Sequence, residues 1–462
     1  MRRALGAAYW IFPSLFCLIL YWYGLKSWFR ADDFAWLGLG REIVAPADFW
    51  RVMFAPMAQG TIRPLSERAF FIGLYALFGL DALPFRIFAF LTQFANLALL
   101  SWIVLKLTGS RTAGFFAPVL WIANSAMVIA MTWSSAYNQI LCGFFLLSAF
   151  TLYLKYEETG DRRYYWGQFV AFLLGFGALE VNVVYPALLA SYLVLTKRPL
   201  KPVIPLFACS LAFTVMHFLV APRLTTGPYA LALDASILGT LLTYWKWALV
   251  PDTWWLYGEK WGRITAAIAC VFTALLIGFV LMQALRKRWI AALGLCWFLL
   301  LLIPILPLKN HLISYYLTLP TLGLAMVGAM GFAEGWRKGT LWRIVAAAAL
   351  AGYLAIAVPS SRDQTRWFYE VSRSVKIVVL GVARAHELHP QATILLDGLE
   401  DGVYDHAVAH DPFRLFGATN VYLAPQTVKQ FAGHADDPDL SAHILPAGPT
   451  LKALNEDRIV VY

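Results

Sequence analysis

Long apolar runs separated by short polar stretches set the pattern of this chain over its first 360 residues. A helix of about 20 apolar residues crosses roughly 30 Å of hydrocarbon. On that measure the runs predict eleven spans, at about 8–26, 83–106, 112–132, 136–154, 164–180, 182–196, 202–220, 264–285, 289–307, 314–332 and 341–359. The first run lacks a convincing cleavage site and is expected to be an uncleaved span. Basic clusters then fall on one side: Arg2/Arg3, Lys106/Arg111, Arg162/Arg163, Lys197/Arg198/Lys201, Arg286/Lys287/Arg288 and Arg337/Lys338. By the positive-inside rule that side is cytoplasmic.

The same rule decides two ambiguous segments, 64–80 and 237–250. Counting either alone as a span would throw later basic clusters outside. Both are therefore expected to lie in the outer interface, or to be re-entrant. Two large outer loops follow, about 27–82 and 221–263. From about residue 361 the composition turns polar. Strand-like runs at Thr393–Leu396 and Arg458–Tyr462 predict a small C-terminal α/β domain over 361–462. An odd span count with the N-terminus inside places it outside. No short-period repeat is present.

Composition agrees. Of 462 residues 60% are hydrophobic and only 14% charged, against about 25% charged in a soluble domain. The fold class is an all-α polytopic membrane protein, residues 1–360, carrying that small domain. The 19 tryptophans suit wide interfacial belts. The net charge of +10 is scattered between apolar runs, as topology requires, and does not point to nucleic acid. All five cysteines lie in apolar runs without CxxC spacing, so neither zinc nor a disulfide framework is expected. Nucleotide-binding and hydrolase motifs are absent from the sequence.

Four stretches carry candidate chemistry. The first is "SWFRADDFAWLGL", where Asp32 and Asp33 stand side by side after the first span. One role is an N-cap for a helix beginning near Phe34. The other is a general base, its proton affinity raised by burial and by a second carboxylate. The second stretch is "QGTIRPLSE", where Arg63 precedes Pro64 and is held extended, suited to a phosphate or to snorkelling. The third is "GFGALEVNVVYPALL", where Glu180 and Asn182 interrupt an apolar run; a carboxylate at that depth is costly. The fourth is "PLKNHLISYYLTLP", which gathers Lys309, His311 and Tyr315 at the outer end of a span. Arg223 is a weaker candidate of the same kind.

Together these stretches resemble the GT-C superfamily of integral membrane glycosyltransferases. "RADDF" looks like that superfamily's acidic first-loop motif. "IRPLSERAFFIGLYALFGLDALPFRIFAFLTQFANLALL", "MTWSSAYNQILCGFFLLSAFTLYL", "ALEVNVVYPALL" and "YYLTLPTLGL" are similar, in that order, to the O-mannosyltransferase branch with tetratricopeptide repeats. The resemblance covers about residues 8–335, without the repeats. Leu179 stands where that branch has Lys, and His311 and Ser314 where it often has Arg.

The resemblance implies an inverting glycosyltransferase using a polyprenyl phosphate or diphosphate sugar. The acceptor is a hydroxyl of a cell-envelope glycan, such as lipopolysaccharide, or of a lipid or protein, at the outer face of a bacterial inner membrane. Asp33, narrowly ahead of Asp32, is the implied base. Glu180 and Asn182 orient the acceptor or the base. Arg63, Lys309, His311, Arg223 and Tyr315 meet the donor phosphate. No cofactor is expected, and a required divalent ion is not favoured. The rival classes are a flippase for a lipid-linked sugar, which would show two related halves with broken helices, and a surface-polysaccharide ligase or polymerase.

Overall fold

The structure is a computed structural model. It describes the chain apart from residues 1, 58–59, 222–226, 252–258, 431–439, 441–442, 446 and 457. Each expected span falls on a helix. Among the described residues five helices are long and apolar enough to cross a membrane: Ala82–Thr108, Tyr137–Thr159, Lys201–Val220, Arg263–Leu285 and Thr340–Leu388. Three shorter apolar helices are Ala8–Leu20, Glu180–Leu195 and Ile290–Leu302. Small residues let some of them approach closely. A Cβ on Gly294 would stand 2.6 Å from the Gly323 carbonyl oxygen, so the helices Ile290–Leu302 and Thr321–Arg337 meet backbone to backbone.

Two expected spans differ in detail. The run 112–132 is two helices, Arg111–Ala123 and Met127–Thr132. Asn124 breaks it by offering the backbone another partner. Its Oδ1 accepts from the Ala126 N–H at 3.0 Å, and its Nδ2 donates to the Ala248 carbonyl at 2.8 Å. The run 314–332 begins as a 3-10 turn, Ser314–Leu317, and becomes an α-helix only at Thr321, after Pro320.

The largest difference lies at the boundary of the tail. One helix of 49 residues, Thr340–Leu388, runs through residues 360 and 361 without a break. At 1.5 Å per residue, its first 21 residues rise about 32 Å, the thickness of the hydrocarbon core. The composition changes there because the solvent changes, while the helix continues. Beyond it β1 (Thr393–Leu396), β2 (Val421–Leu423) and β3 (Ile459–Val461) form a parallel sheet in the order β2-β1-β3. Ile394 pairs with Val421 on one side and Val460 on the other. Strands β1 and β3 match the two strand-like runs. Strand β2 is only three residues long and carries too little alternation to be read locally.

The tail folds back onto the first loop. Ser372 Oγ accepts from the Trp28 N–H at 3.1 Å, and the Phe368 ring lies 4.0 Å from the Arg30 guanidinium. The loop that bears the acidic pair is thus held between the membrane helices and the C-terminal segment.

Candidate active site

The two aspartates have opposite surroundings. Asp33 is completely buried. Its Oδ1 accepts from the Ser135 N–H at 2.7 Å and from the Ser135 hydroxyl at 2.6 Å. Its Oδ2 accepts from the Arg30 N–H at 3.1 Å. That last bond ties the first residue of the helix Asp33–Gly38 back to the chain just before it. Burial pushes the Asp33 carboxyl up to about 6, against the opposing pull of Ser135 and Arg30. The raised proton affinity expected from the sequence is present, and burial, one of its two expected causes, is the largest contribution.

Asp32 occupies the N-cap position but makes no capping hydrogen bond. Its side chain is 51% exposed, and Oδ1 lies 3.4 Å from His410 Nδ1. The capping role and the accessible carboxylate are therefore divided between the two residues. Asp33 ties down the loop, and Asp32 is presented. Ala31, just before them, is held in the left-handed region at φ 50°, and its N–H donates to the His406 carbonyl at 2.7 Å. Trp133 Nε1 donates to the Arg30 carbonyl at 3.1 Å and closes the turn from the other side.

A second cluster forms where loop 59–67 docks on the turn before Glu180. Leu65 N–H donates to the Gly177 carbonyl at 2.9 Å, and Ser66 Oγ donates to the Ala178 carbonyl at 2.7 Å. Arg63 is not a free cation. Its Nε donates to both Glu180 oxygens, at 3.0 and 2.9 Å, and its Nη1 to Glu67 Oε1 at 2.7 Å. Burial alone would lower the Arg63 proton affinity, but the two carboxylates outweigh it and hold the guanidinium charged. Glu67 is raised, chiefly by burial. Asn182 does not join this cluster. It is buried inside the helical hairpin, where its Nδ2 donates to the Phe172 carbonyl at 2.7 Å.

An aromatic wall completes the arrangement. The Tyr229 and His311 rings meet at a tilt with centroids 4.4 Å apart, the Tyr315 and Tyr316 rings lie 4.7 Å apart, and Trp133 packs edge-on against Tyr315. Burial raises the Tyr229 hydroxyl; the Asp32 charge adds to this and Arg63 opposes it. Tyr229 thus links the acidic loop electrostatically to the Arg63/Glu180 cluster. Burial lowers His311. Lys309 pairs with Asp234 at 3.1 Å and is 40% exposed. Arg223 lies outside the described residues.

The structure thus forms an acidic loop at Asp32 and Asp33, an Arg63/Glu180 cluster and an aromatic wall with His311 and Tyr315, the loop and the wall joined through Trp133. Sequence reasoning missed His410, Ser135, Glu67 and Tyr229. Only Glu67 carried a local signal, four residues after Arg63. His410 comes from the far end of the chain.

No family model matches this chain, and no curated protein sequence matches it. Two solved structures do. The structure of ArnT from Cupriavidus metallidurans in the apo state covers 99% of this chain and 93% of that one, at 13% identity and a TM-score of 0.50. The same protein bound to undecaprenyl phosphate covers 96% and 90%, at 12% identity and a TM-score of 0.45. At that identity the likeness is one of fold. The likeness and the long apolar helices agree with the expectation drawn from the motifs: the chain is an integral membrane protein with the fold of ArnT.

Proposed function

We propose that the protein is an inverting glycosyltransferase that takes a sugar from a polyprenyl phosphate. The observation that carries this reading is the accessible Asp32 carboxylate on a loop locked by its buried neighbour. Asp32, rather than Asp33, is the base, because all the hydrogen bonds of Asp33 are turned inward. Asp32 takes the proton of an acceptor hydroxyl. The oxygen forms its bond to the anomeric carbon as the bond from that carbon to the phosphate oxygen breaks. The electron pair leaves with the phosphate. Lys309, His311 and Tyr315 are placed to meet that phosphate, and Arg63 supports it with N–H groups not used by its carboxylates. Glu180, held in a bidentate pair, orients the acceptor.

An apolar cavity of about 440 Å³ supports a lipid-linked donor. Leu120, Leu249, Phe272, Leu324 and Tyr353 are among its lining residues, and Asn124 and Thr321 stand at its polar edge. Its lining runs from Thr321, four residues after the turn Ser314–Leu317, to Glu334 and Lys338, which suits a prenyl chain whose phosphate stands at the Thr321 end. The sequence reading of eleven spans with an inside N-terminus supports an outer-side location for this face and for the tail. The acceptor is a hydroxyl of a cell-envelope glycan, lipid or protein.

The test is release of polyprenyl phosphate from a panel of radiolabelled polyprenyl-phosphate sugars by protein in proteoliposomes. Asp32→Asn should lower turnover by about 100-fold or more and leave donor binding in place. Full activity in Asp32→Asn would remove the base from the scheme. Movement of the intact lipid-linked sugar between leaflets, without release, would favour a flippase.

A further inference from the structure

The segment from His406 to Leu415 grips the acidic loop at three points. The Ala31 N–H donates to the His406 carbonyl at 2.7 Å. Arg41 donates to the Arg414 carbonyl at 2.8 Å and also to the Leu415 carbonyl. His410 Nδ1 stands 3.4 Å from Asp32 Oδ1. Ala31 keeps a left-handed backbone, φ 50°, that a non-glycine residue holds only when its surroundings impose it. The surroundings here belong to the C-terminal segment.

Asp32 needs such a partner. It has no capping hydrogen bond, and half its side chain is exposed. Left alone, its carboxylate would turn among several rotamers. Nearby charges are engaged elsewhere. Asp411 pairs with Arg414, Arg30 lies against Phe368, and His406 Nδ1 donates to the Gly402 carbonyl at 2.9 Å. Among the described residues Asp32 is the one carboxylate paired with His410.

We propose that His410 is a positioning residue for sugar transfer. On acceptor binding its Nδ1–H closes on Asp32 Oδ1, which stands 3.4 Å away in the free protein, so that Oδ2 faces the acceptor hydroxyl. The C-terminal segment is then part of the catalytic centre rather than an appendage to it. The proposal rests on Asp32 being the base. The proton passes from the acceptor hydroxyl to Asp32 Oδ2, and His410 keeps its own proton throughout. Misplacing a reacting group by about 1 Å is enough to cost up to about 100-fold in rate.

The experiment compares His410→Ala, His410→Asn and His410→Gln with the polyprenyl-phosphate sugar that the panel identifies. An Asn amide N–H can stand where Nδ1–H stood, whereas a Gln amide stands at the Nε2 position. Ala and Gln should lower kcat by about 10- to 100-fold, with the donor KM unchanged, and Asn should restore most of the rate. In an Asp32→Asn background, His410→Ala should cost nothing further. Wild-type kcat in His410→Ala would overturn the proposal. So would equal losses in the Ala and Asn variants, which mark a merely structural role.

A second measurement needs no substrate. Asp32→Cys combined with His410→Cys should be bridged by a short bifunctional thiol reagent, and mass spectrometry should find the two peptides joined. Failure to bridge would overturn the contact. Bridging in the double-cysteine variant, together with no sugar release by the wild-type protein, would refute the base assignment and uphold the pairing.

Discussion

Ser135→Ala tests the lock on the acidic loop. The Ser135 hydroxyl donates to Asp33 Oδ1 at 2.6 Å in a site with no solvent exposure. A hydrogen bond to a charged partner contributes about 1.5–3 kcal/mol, and one between neutral groups about 1 kcal/mol. The loss therefore depends on the charge of Asp33, whose carboxyl sits at about 6 when folded and near 3.9 when unfolded. A folded value above the unfolded one means that the native state holds the proton more tightly. The associated stability is fully present below about pH 4 and is lost as pH rises through about 6. For the wild-type group alone that loss is about 3 kcal/mol, from roughly two units at 1.36 kcal/mol each.

Without the serine hydroxyl the ionised form is poorer still, and the decline should extend about one pH unit further. Ser135→Ala should then cost about 1 kcal/mol at pH 5 and about 2–3 kcal/mol at pH 8. Unfolding of the detergent-solubilised protein at the two pH values measures the difference. The same cost at both would refute a buried, ionisable Asp33 held by this hydroxyl. Because Asp33 sets the loop, sugar transfer at pH 8 should fall along with stability.

Arg63→Met would strand Glu180 and leave Glu67 with Arg68 alone, at 3.5 Å. The expected cost is about 3–5 kcal/mol, read as a lower unfolding temperature, with Arg63→Lys falling between; an unchanged temperature would show that the cluster contributes nothing. Gly294→Ala should destabilise the Gly294–Gly323 crossing by about 1–3 kcal/mol, whereas alanine at Gly73, where a Cβ meets nothing within 4 Å, should be neutral in the same unfolding assay. A cysteine replacing the exposed His389 just after the long helix should react with an impermeant thiol reagent on intact cells; labelling only after lysis would put the tail, and with it the whole site, on the cytoplasmic side.

Much of the membrane part was legible because it is local. Apolar run length decides where helices form, and the basic clusters give them a consistent sidedness. Strands β1 and β3 showed as short β-branched and aliphatic runs. The acidic pair stood out because two adjacent carboxylates at a membrane edge are costly. Other features depended on contacts far apart in the chain. Asp32 and Asp33 are chemically alike and adjacent, so nothing local could say which would be buried; Ser135 and the Arg30 backbone decided that by enclosing one of them. Arg63 looked like a free phosphate ligand until the docking of its loop on Gly177 brought Glu180 against it. His410 carried no motif at all. It reaches Asp32 because the segment after the 49-residue helix folds back, at His406–Leu415, against the first loop. Helix formation and bilayer crossing are settled within about 20 residues of sequence. The charge, exposure and partner of a carboxylate are set by the packing around it, and packing exists only once distant segments have met.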